Sequence, residues 1–294
     1  MNKGIEIRYL EHRNTSKSAT WGVPWKRGER TAVENLTARD AQGNVYPTQS
    51  CVRAEWPDGS VKWSLHSAAL EGLRGDCFYL ASGNDASLPP LCRETETGFA
   101  IDTGCLKAQL PKFGSNLIES LSIGGRVTCT GAVPTVLLEH RDKNTATVET
   151  FLGDIRSAAA EENGPVRCVL CFQGTHSSDT GDRALPFVIR LYFYRGSADV
   201  RISHTFLFDR DQHKDFIKGI GIRFLSPMEN QPYNRHVLFA GDGEGVFHET
   251  LQLLTSWRPR LNPQIYPDQL AGKEIIFDER APDYEAVKEA LKNI

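Results

Sequence analysis

Two-residue alternation of apolar and polar side chains, broken by Gly, Pro, Asn and Asp, runs through most of this 294-residue chain. Because successive side chains of a strand point to opposite faces, this pattern is typical of antiparallel sheets with one buried face. One stretch near the carboxy terminus has helical spacing instead, with Tyr284, Val287 and Leu291 on one face. The sequence therefore predicts a mainly β protein with a short carboxy-terminal helix.

The length of the chain exceeds that of most single domains, so two domains are expected. The segment Ser82–Thr97 is polar and contains prolines, a composition typical of a linker between domains. We therefore predict a first domain over residues 1–83, a linker over residues 84–97 and a larger domain over residues 98–256. Residues 257–294 form an extension that includes the predicted helix.

Charge and hydropathy narrow the class of partner and the location. The net charge is −3, and lysine and arginine are scattered along the chain, which argues against a nucleic-acid or membrane partner. Residues 1–14 contain no apolar run long enough for a signal peptide, and no window approaches a membrane span. A cytoplasmic location is therefore expected, or a secreted one if the start of the chain has been trimmed.

The seven cysteines lack the spacing of a disulfide framework. Cys168 and Cys171 have the spacing of half a zinc site, but they lie in an apolar, strand-like run. Residues three apart on a strand point to opposite faces, so these two thiols cannot ligate one ion. We interpret the cysteines as small, reduced core residues, and we expect neither a metal site nor a cofactor.

The stretch CVRAEWPDGSVKWSLHSA contains two tryptophans on either side of a Pro-Asp-Gly turn. Alternation on both sides predicts a hairpin that pairs Ala54 with Trp63 and Val52 with Leu65. In this register both tryptophans share the apolar face, so we expect them to pack in the core. The alternative is an exposed aromatic platform that binds a ligand.

A second hairpin is predicted further along the chain, in PFVIRLYFYRGSADVRISHTFLFD. Its register pairs Tyr192 with Arg201 and Arg190 with Ser203, which places these side chains on one polar face. Arginine binds carboxylates with two hydrogen bonds and aromatic rings stack on sugar rings, so this face suits an acidic saccharide. A solvated sheet face with arginine–tyrosine stacking is the alternative.

Two motifs in the first domain resemble those of a known family. Gly22–Pro24 with Gly28 form a Gly-Val-Pro-x-x-x-Gly element, and Trp56–Val61 with Trp63 form Trp-Pro-Asp-Gly-Ser-Val-x-Trp. In this order the motifs resemble the amino-terminal RIFT-barrel domain of the rhamnogalacturonan exolyases, polysaccharide lyase family 26. The resemblance implies a small RIFT-type β-barrel at the amino terminus.

The larger domain continues the resemblance. Asp102–Leu106, Gly164–Pro165 and Arg190–Ser197 follow the progression of the family's central β-sandwich domain. The expected architecture is therefore a small amino-terminal RIFT-type β-barrel followed by a larger antiparallel β-sandwich. A helical toroid follows the sandwich in that family, and residues 257–294 would lead toward a toroid that this chain lacks.

The resemblance implies β-elimination on galacturonate-containing pectic chains, with an acidic polysaccharide or oligosaccharide as the partner. This reaction needs a group that neutralises the carboxylate, a base for the C5 proton and an acid for the departing oxygen. The segment QPYNRHV groups such residues, and His236 and Tyr233 are the candidates for proton transfer. Without the toroid, we expect the chain to be inactive or incomplete as an enzyme.

Five residues are the candidates for substrate binding: Arg190, Tyr192, Arg201, Asn234 and Arg235. Their side chains supply cations, an aromatic ring and an amide, all of which bind uronic sugars. A non-catalytic carbohydrate-binding or assembly module made of the same two β domains is the alternative function. The sequence leaves the oligomeric state open.

Overall fold

A computed structural model describes residues 4–9, 17–83, 88–240, 246–254, 262–282 and 284–292. Strands dominate these residues, which confirms the predicted mainly β class. The chain forms two compact units, Met1–Pro227 and Met228–Ile294. The first unit contains a RIFT barrel domain and a β-sandwich.

The amino-terminal RIFT barrel domain consists of short antiparallel strands. These are β1 Ile5–Arg8, β2 Ser18–Pro24, β3 Leu36–Arg39, β4 Val45–Tyr46, β5 Thr48–Glu55, β6 Val61–Ala69 and β7 Cys77–Ser82. One sheet has the order β1-β7-β3-β4 and the other has the order β2-β6-β5. Val33, Leu36, Val61 and Leu80 are buried in one cluster, so apolar side chains from both sheets share a core.

The hairpin of β5 and β6 differs from its predicted register. Ala54 pairs with Trp63 as predicted, but Val52 faces Ser64 rather than Leu65. The cause is a pair of irregularities on either side of Ala54, which shift the rest of β5 by one residue along β6. The buried face of β6 therefore contains Ser64 and His66 in place of Trp63 and Leu65.

Trp63 consequently lies on the outside of the barrel domain. It is 43% exposed, and its indole lies 2.6 Å from the position that a Cβ on Gly22 would occupy. Trp56 is half-buried; its Nε1 donates to the backbone oxygen of Trp25 at 3.1 Å, and the ammonium of Lys62 lies over its ring. The prediction that Trp63 packs in the core is therefore wrong, and Gly22 is the residue that allows its indole to lie flat.

Polar side chains occupy the buried face of β6. Ser64 and His66 are inaccessible to water. Trp25 Nε1 donates to Ser64 Oγ at 2.7 Å, and the His66 nitrogens lie 2.6 Å from Ser64 Oγ and 2.8 Å from Ser50 Oγ. Burial, with a smaller effect of Arg30, lowers the pKa of His66 to about 4. This face can be buried because its polar atoms have partners within the domain.

The sandwich contains longer strands. They are β8 Cys92–Glu94, β9 Gly98–Asp102, β10 Leu106–Pro111, β11 Ser120–Ile123, β12 Arg126–Cys129, β13 Gly131–Asp142, β14 Thr145–Asn163, β15 Arg167–Ser178, β16 Arg183–Tyr194, β17 Arg201–Phe206 and β18 Asp215–Leu225. The sheets have the orders β12-β11-β10-β9-β8 and β17-β16-β15-β14-β13-β18. Phe99, Leu106, Phe172 and Ile189 belong to the buried cluster that joins them.

The hairpin of β16 and β17 has the predicted register. Tyr192 pairs with Arg201, and Arg190 pairs with Ser203. The inward residues of β16 are buried, whereas its outward residues Arg190, Tyr192 and Tyr194 are half-buried. The predicted polar face is therefore confirmed. No bulge interrupts the pairing of β16 with β17, so side chains that were predicted to share a face do so.

The other sequence predictions for the sandwich concern the cysteines and the linker. Cys92, Cys129, Cys168 and Cys171 are buried free thiols, as predicted. The predicted core position is wrong for Cys105, which is exposed, and Cys51 and Cys77 are only half-buried. Strand β8 lies inside the predicted linker and pairs with β9, and Leu91 N donates to Gly164 O at 3.0 Å. Residues 92–94 are thus part of the sandwich, and the domain bounds at residues 83, 97 and 256 stay predictions.

Two side chains of β5 join the barrel domain to the sandwich. Gln49 Nε2 donates to Glu162 Oε1 at 2.9 Å, and Gln49 Oε1 accepts from the backbone N–H groups of Val166 and Arg167 at 3.1 and 2.9 Å. Arg53 and Arg167 both pair with Glu162 Oε2, at 2.9 and 3.0 Å. These contacts fix the barrel domain beside the ends of β14 and β15.

The second unit combines a hairpin with short helices. It contains a 3-10 turn Pro232–Asn234, β19 His236–Ala240, β20 Val246–Thr250, α1 Ile265–Leu270 and α2 Tyr284–Lys292. Helix α2 confirms the predicted helix, with Val287 buried and with Tyr284 and Leu291 half-buried. None of the helices in the described ranges is long and apolar enough to cross a membrane.

Gln269 of α1 holds the parts of the second unit together. Its Nε2 donates to the backbone oxygens of Tyr233 and Gln252 at 2.7 and 2.9 Å, and its Oε1 accepts from Leu254 N at 2.8 Å. The side chain is fully buried. Because both ends of the amide have partners, Gln269 fixes the 3-10 turn against the chain that follows β20.

Candidate functional site: a basic and aromatic sheet face

The polar face of β16 and β17 continues across β15 and β14 as parallel rows of side chains. From β14 to β17, the rows are Glu162, Val169, Tyr192 and Arg201; then Ala159, Cys171, Arg190 and Ser203; then Ser157, Gln173, Val188 and Thr205. Successive rows lie about 6–7 Å apart along the strands. We name this surface the outer face, and it brings together three predicted substrate-binding residues, Arg190, Tyr192 and Arg201.

Arg190 is already engaged within the outer face. Its Nε and Nη2 each donate to one oxygen of Glu161 at 2.8 Å. This bidentate pair holds the pKa of Glu161 below its usual range and raises the pKa of Arg190. The charge of Arg190 is therefore balanced by a neighbour, and a ligand carboxylate would compete with Glu161 for its guanidinium.

Arg201 is the more available cation of the outer face. It is exposed, and its guanidinium carbon lies 5.5 Å from the centre of the Tyr192 ring. The buried Arg167 contacts the same ring at 5.4 Å. Within the described residues no carboxylate pairs with Arg201. Tyr192 thus supports a guanidinium whose donors remain open to a carboxylate.

The predicted proton-transfer segment belongs to the second unit. Asn234 is held at both ends of its amide: Oδ1 accepts from Ile275 N, and Nδ2 donates to Ile275 O, both at 2.9 Å. Arg235 Nε donates to Asn230 O at 2.5 Å. These bonds hold the 3-10 turn in place, so the amide of Asn234 supports the local structure.

Tyr233 lines a cavity of about 510 Å³ within the second unit. Phe277, Tyr284, Lys288 and Gln252 also line this cavity, and the Phe277 ring meets the Tyr233 ring edge-on at 5.4 Å. Burial raises the pKa of Tyr233, and the nearby phenol of Tyr284 adds to the effect. A phenol with a raised pKa stays protonated at neutral pH, so Tyr233 is poorly suited to remove a proton.

His236 does not share that cavity with Tyr233. It begins β19, and its ring lies 5.8 Å from the ring of His248 on β20. Its Nδ1 is buried and has no hydrogen-bond partner in the part of the chain that the structure describes. An imidazole nitrogen without a partner can exchange a proton with a ligand.

Sequence reasoning missed Glu161, Gln269 and Lys288. Lys288 had a usable signal, because it follows Tyr284 by four residues and therefore lies one helical turn further along the same side. The roles of Glu161 and Gln269 depend on partners far away in the sequence, which no local pattern indicates. No group of three or more histidine, cysteine, aspartate or glutamate side chains in the described ranges is arranged to hold a metal ion.

The fold and the outer face define a class of two-domain β proteins in which a RIFT barrel is joined to a sandwich with a basic, aromatic sheet face. The PcRGLX-like N-terminal RIFT barrel domain matches residues 3–82, and the PcRGLX-like protein central beta sandwich domain matches residues 91–294. The chain belongs to the PcRGLX-like family, the rhamnogalacturonan exolyase-like family that its motifs resemble.

Among curated proteins, the uncharacterized protein YetA of Bacillus subtilis (strain 168) is 35% identical over 289 residues, which are 95% of this chain and 33% of YetA. This chain thus spans about a third of that relative. A glycosyl hydrolase family 38 protein from Enterococcus faecalis has a TM-score of 0.43 at 12% identity, over 74% of this chain and 31% of that protein. An α-mannosidase from Enterococcus faecalis V583 has a TM-score of 0.37 at 10% identity, over 68% of this chain and 28% of the other.

Proposed function

We propose that the outer face binds an acidic polysaccharide, and that the chain is the β portion of a lyase that performs β-elimination on galacturonate-containing pectic chains. The observation that carries the proposal is the exposed guanidinium of Arg201 on the ring of Tyr192. Its donors can form two parallel hydrogen bonds with a uronate carboxylate. The ring of Tyr192 holds this guanidinium in place for the contact.

Binding by the β domains alone is expected to be weak and sensitive to salt. Arg201 is exposed, so its guanidinium is hydrated and screened before a ligand arrives. The Arg190–Glu161 pair reduces the positive potential further. Affinity for the polymer therefore depends on several such contacts along one saccharide chain.

In the proposed reaction, a base removes the C5 proton of galacturonate, the electrons form the C4–C5 double bond, and the oxygen on C4 leaves with a proton from an acid. A cation on the carboxylate stabilises the negative charge that develops at C5. His236 is the candidate base because it supplies the imidazole of the segment QPYNRHV. Tyr233 is the candidate acid because its phenol lines the cavity of the second unit and carries a proton at neutral pH.

A carbohydrate-binding or assembly module without catalysis is the second candidate. Two observations favour it: Arg190 is neutralised by Glu161, and both ends of the Asn234 amide are engaged by Ile275. Tyr233 and His236 also do not line one cavity. A surface of this kind can hold a saccharide without providing an acid and a base at the same bond.

One pair of measurements separates the two candidates. The protein is titrated with an oligogalacturonide and with the same oligosaccharide after reduction of its carboxyl groups. Preference for the carboxylated form supports the binding role, and equal affinity for both forms contradicts it. The protein is then incubated with rhamnogalacturonan, and the ultraviolet absorbance of unsaturated uronate is followed over time.

Formation of unsaturated product by the chain, or by a longer protein that contains it, supports the lyase. In that protein His236→Ala should lower the rate far more than it weakens binding, as expected of a group that acts in the transition state. A rate unchanged within a factor of about two, equivalent to ~0.4 kcal/mol in the barrier, would remove His236 from catalysis. Binding without any product supports the module.

A further inference from the structure

The outer face opens at one end into a groove. The groove has a volume of about 690 Å³, which lies in the usual range for ligand sites. It begins at the row of Ser157, Gln173, Val188 and Thr205 and extends over the ends of β16 and β17. It lies wholly within the first unit and contains none of the predicted site residues.

The floor and one edge of the groove are apolar. Phe187 and Phe206 pair on the core side of the sheet beneath it, whereas Leu207 is 65% exposed. Pro186 completes this surface, and the backbone of Leu207 bonds to it at 2.9 Å. Exposed aliphatic groups of this kind are suited to the C–H face of a sugar ring.

The rim of the groove is basic and polar. Arg156 pairs with Asp154 at 2.5 Å, so its charge is partly balanced. Arg183 is exposed, and none of the carboxylates in the described ranges forms an ion pair with it. The hydroxyl of Thr205 adds a donor and acceptor at the same rim. One uncompensated guanidinium beside an apolar floor favours an amphipathic anion, and a uronic sugar has that character.

The groove is continuous with the face that contains Arg201. Thr205 lies four residues from Arg201 on β17, a separation of about 13 Å along an extended strand. The Arg190–Glu161 pair occupies the row between them. Two available guanidinium groups, Arg183 and Arg201, therefore flank a neutralised one on a single surface.

We propose that this groove is a second saccharide subsite, in which Arg183 binds a uronate carboxylate and Pro186 and Leu207 contact the apolar side of a sugar ring. The inference rests on the proposed binding of an acidic saccharide to the outer face, and it adds the direction of the chain. A single acidic oligosaccharide runs along β16 and β17 from Arg201 to the groove. Carboxylates of the oligosaccharide contact Arg201 and Arg183. The sugar between them contacts the row of the Arg190–Glu161 pair, which has no net charge.

The test uses calorimetric titration with galacturonate trimers and hexamers at low salt. The variants are Arg183→Gln, Leu207→Ala and Arg201→Gln, and Arg126→Gln on the other sheet is the matched control because Arg126 is also exposed. Arg183→Gln should weaken hexamer binding by about 3–10-fold, the loss of one exposed but well-placed charged contact. Arg126→Gln should leave hexamer affinity within a factor of about two.

Chain length and folding decide between the outcomes. The hexamer is long enough to contact both arginines, so its affinity should fall for Arg183→Gln and for Arg201→Gln. The trimer is too short to contact both arginines at once. Circular dichroism and melting temperature confirm that each variant is folded; if Leu207→Ala is not, Leu207→Val replaces it. Weaker hexamer binding by both arginine variants supports the proposal.

Two other results overturn it, and they differ from each other. If Arg201→Gln weakens binding while Arg183→Gln behaves like Arg126→Gln, the groove is not a subsite although the proposed function stands. If the unmodified protein does not prefer the galacturonate hexamer to its carboxyl-reduced form, the proposed function itself fails. The subsite proposal then fails with it.

Discussion

The hairpins β5–β6 and β16–β17 both contain aromatic and polar residues, but they differ in which of these side chains face the core. In β16–β17 the apolar residues face the core, and arginine and tyrosine face outward. In β5–β6 the indole of Trp63 lies outside, whereas Ser64 and His66 are buried. The comparison shows that the buried side of a hairpin can be its more polar side, provided that the polar atoms on that side have partners inside the protein.

The two hairpins also differ in what a substitution would disturb. The core side of β16–β17 is stabilised by apolar burial, and its outer face can change without loss of the fold. The buried side of β5–β6 depends on a chain of hydrogen bonds from Trp25 through Ser64 and His66 to Ser50. Loss of one member leaves its neighbours buried without partners, which is costly.

The largest effect is expected from His66→Ala. It removes a fully buried ring and leaves Ser64 and Ser50 without the partner that joins them, so the free energy of unfolding should fall by about 3–4 kcal/mol. Urea denaturation measures this change. His213→Ala is the control, because His213 is exposed and its loss should cost less than about 0.5 kcal/mol. A small loss for His66→Ala would show that the polar core does not stabilise the barrel domain.

The pH dependence of stability tests the same residue. The folded pKa of His66, about 4, lies below the unfolded value of about 6.5. Between these values the unfolded chain binds a proton that the folded chain does not, so stability is fully present above pH ~6.5 and falls as the pH drops toward ~4. The contribution lost is at most about 3 kcal/mol.

Urea midpoints measured from pH 7 to pH 4 check this sign. Burial also lowers the folded pKa of His176 and His204, so part of the decline belongs to them. The contribution of His66 is therefore the difference between the unmodified protein and His66→Gln. Parallel pH profiles for the two proteins would show that the imidazole of His66 does not titrate in this way.

The alternation of apolar and polar residues in the sequence predicted register and burial correctly where no bulge interrupts the pairing of two strands. It predicted the pairing of Tyr192 with Arg201, the buried face of β16 and the helix that contains Val287. It failed at β5–β6 because the irregularities beside Ala54 leave no local signal, and the one-residue shift is accompanied by an exposed Trp63 and a buried Ser64.

The site was less predictable than the fold for a related reason. The bond between Arg190 and Glu161, and the two bonds between Asn234 and Ile275, join residues that are distant in the sequence. Residue type and spacing indicate which side chains can bind a carboxylate. Whether such a side chain is already engaged depends on the tertiary fold.

Trp63→Ala tests the outward position of the indole. Because Trp63 is 43% exposed and covers Gly22, its loss should reduce the free energy of unfolding by about 1–2 kcal/mol rather than the ~3–5 kcal/mol of a buried aromatic. Phe193→Ala, a fully buried ring of β16, is the matched comparison at the larger value. Equal losses would place Trp63 in the core after all, and lost saccharide binding at unchanged stability would support the aromatic platform.

Glu161→Gln should have the smallest effect, and it concerns the outer face alone. The substitution removes the carboxylate that neutralises Arg190, so the guanidinium becomes available to a ligand. Affinity for a galacturonate hexamer should rise by about 2–5-fold at low salt, equivalent to ~0.4–1 kcal/mol, and the gain should disappear at high salt. Glu94→Gln is the control, because Glu94 pairs with Lys112 on the other sheet and its loss changes the net charge equally. If Glu161→Gln weakens binding instead, Glu161 orients Arg190 for the ligand, and the two residues act as one positioned unit rather than as a neutralised pair.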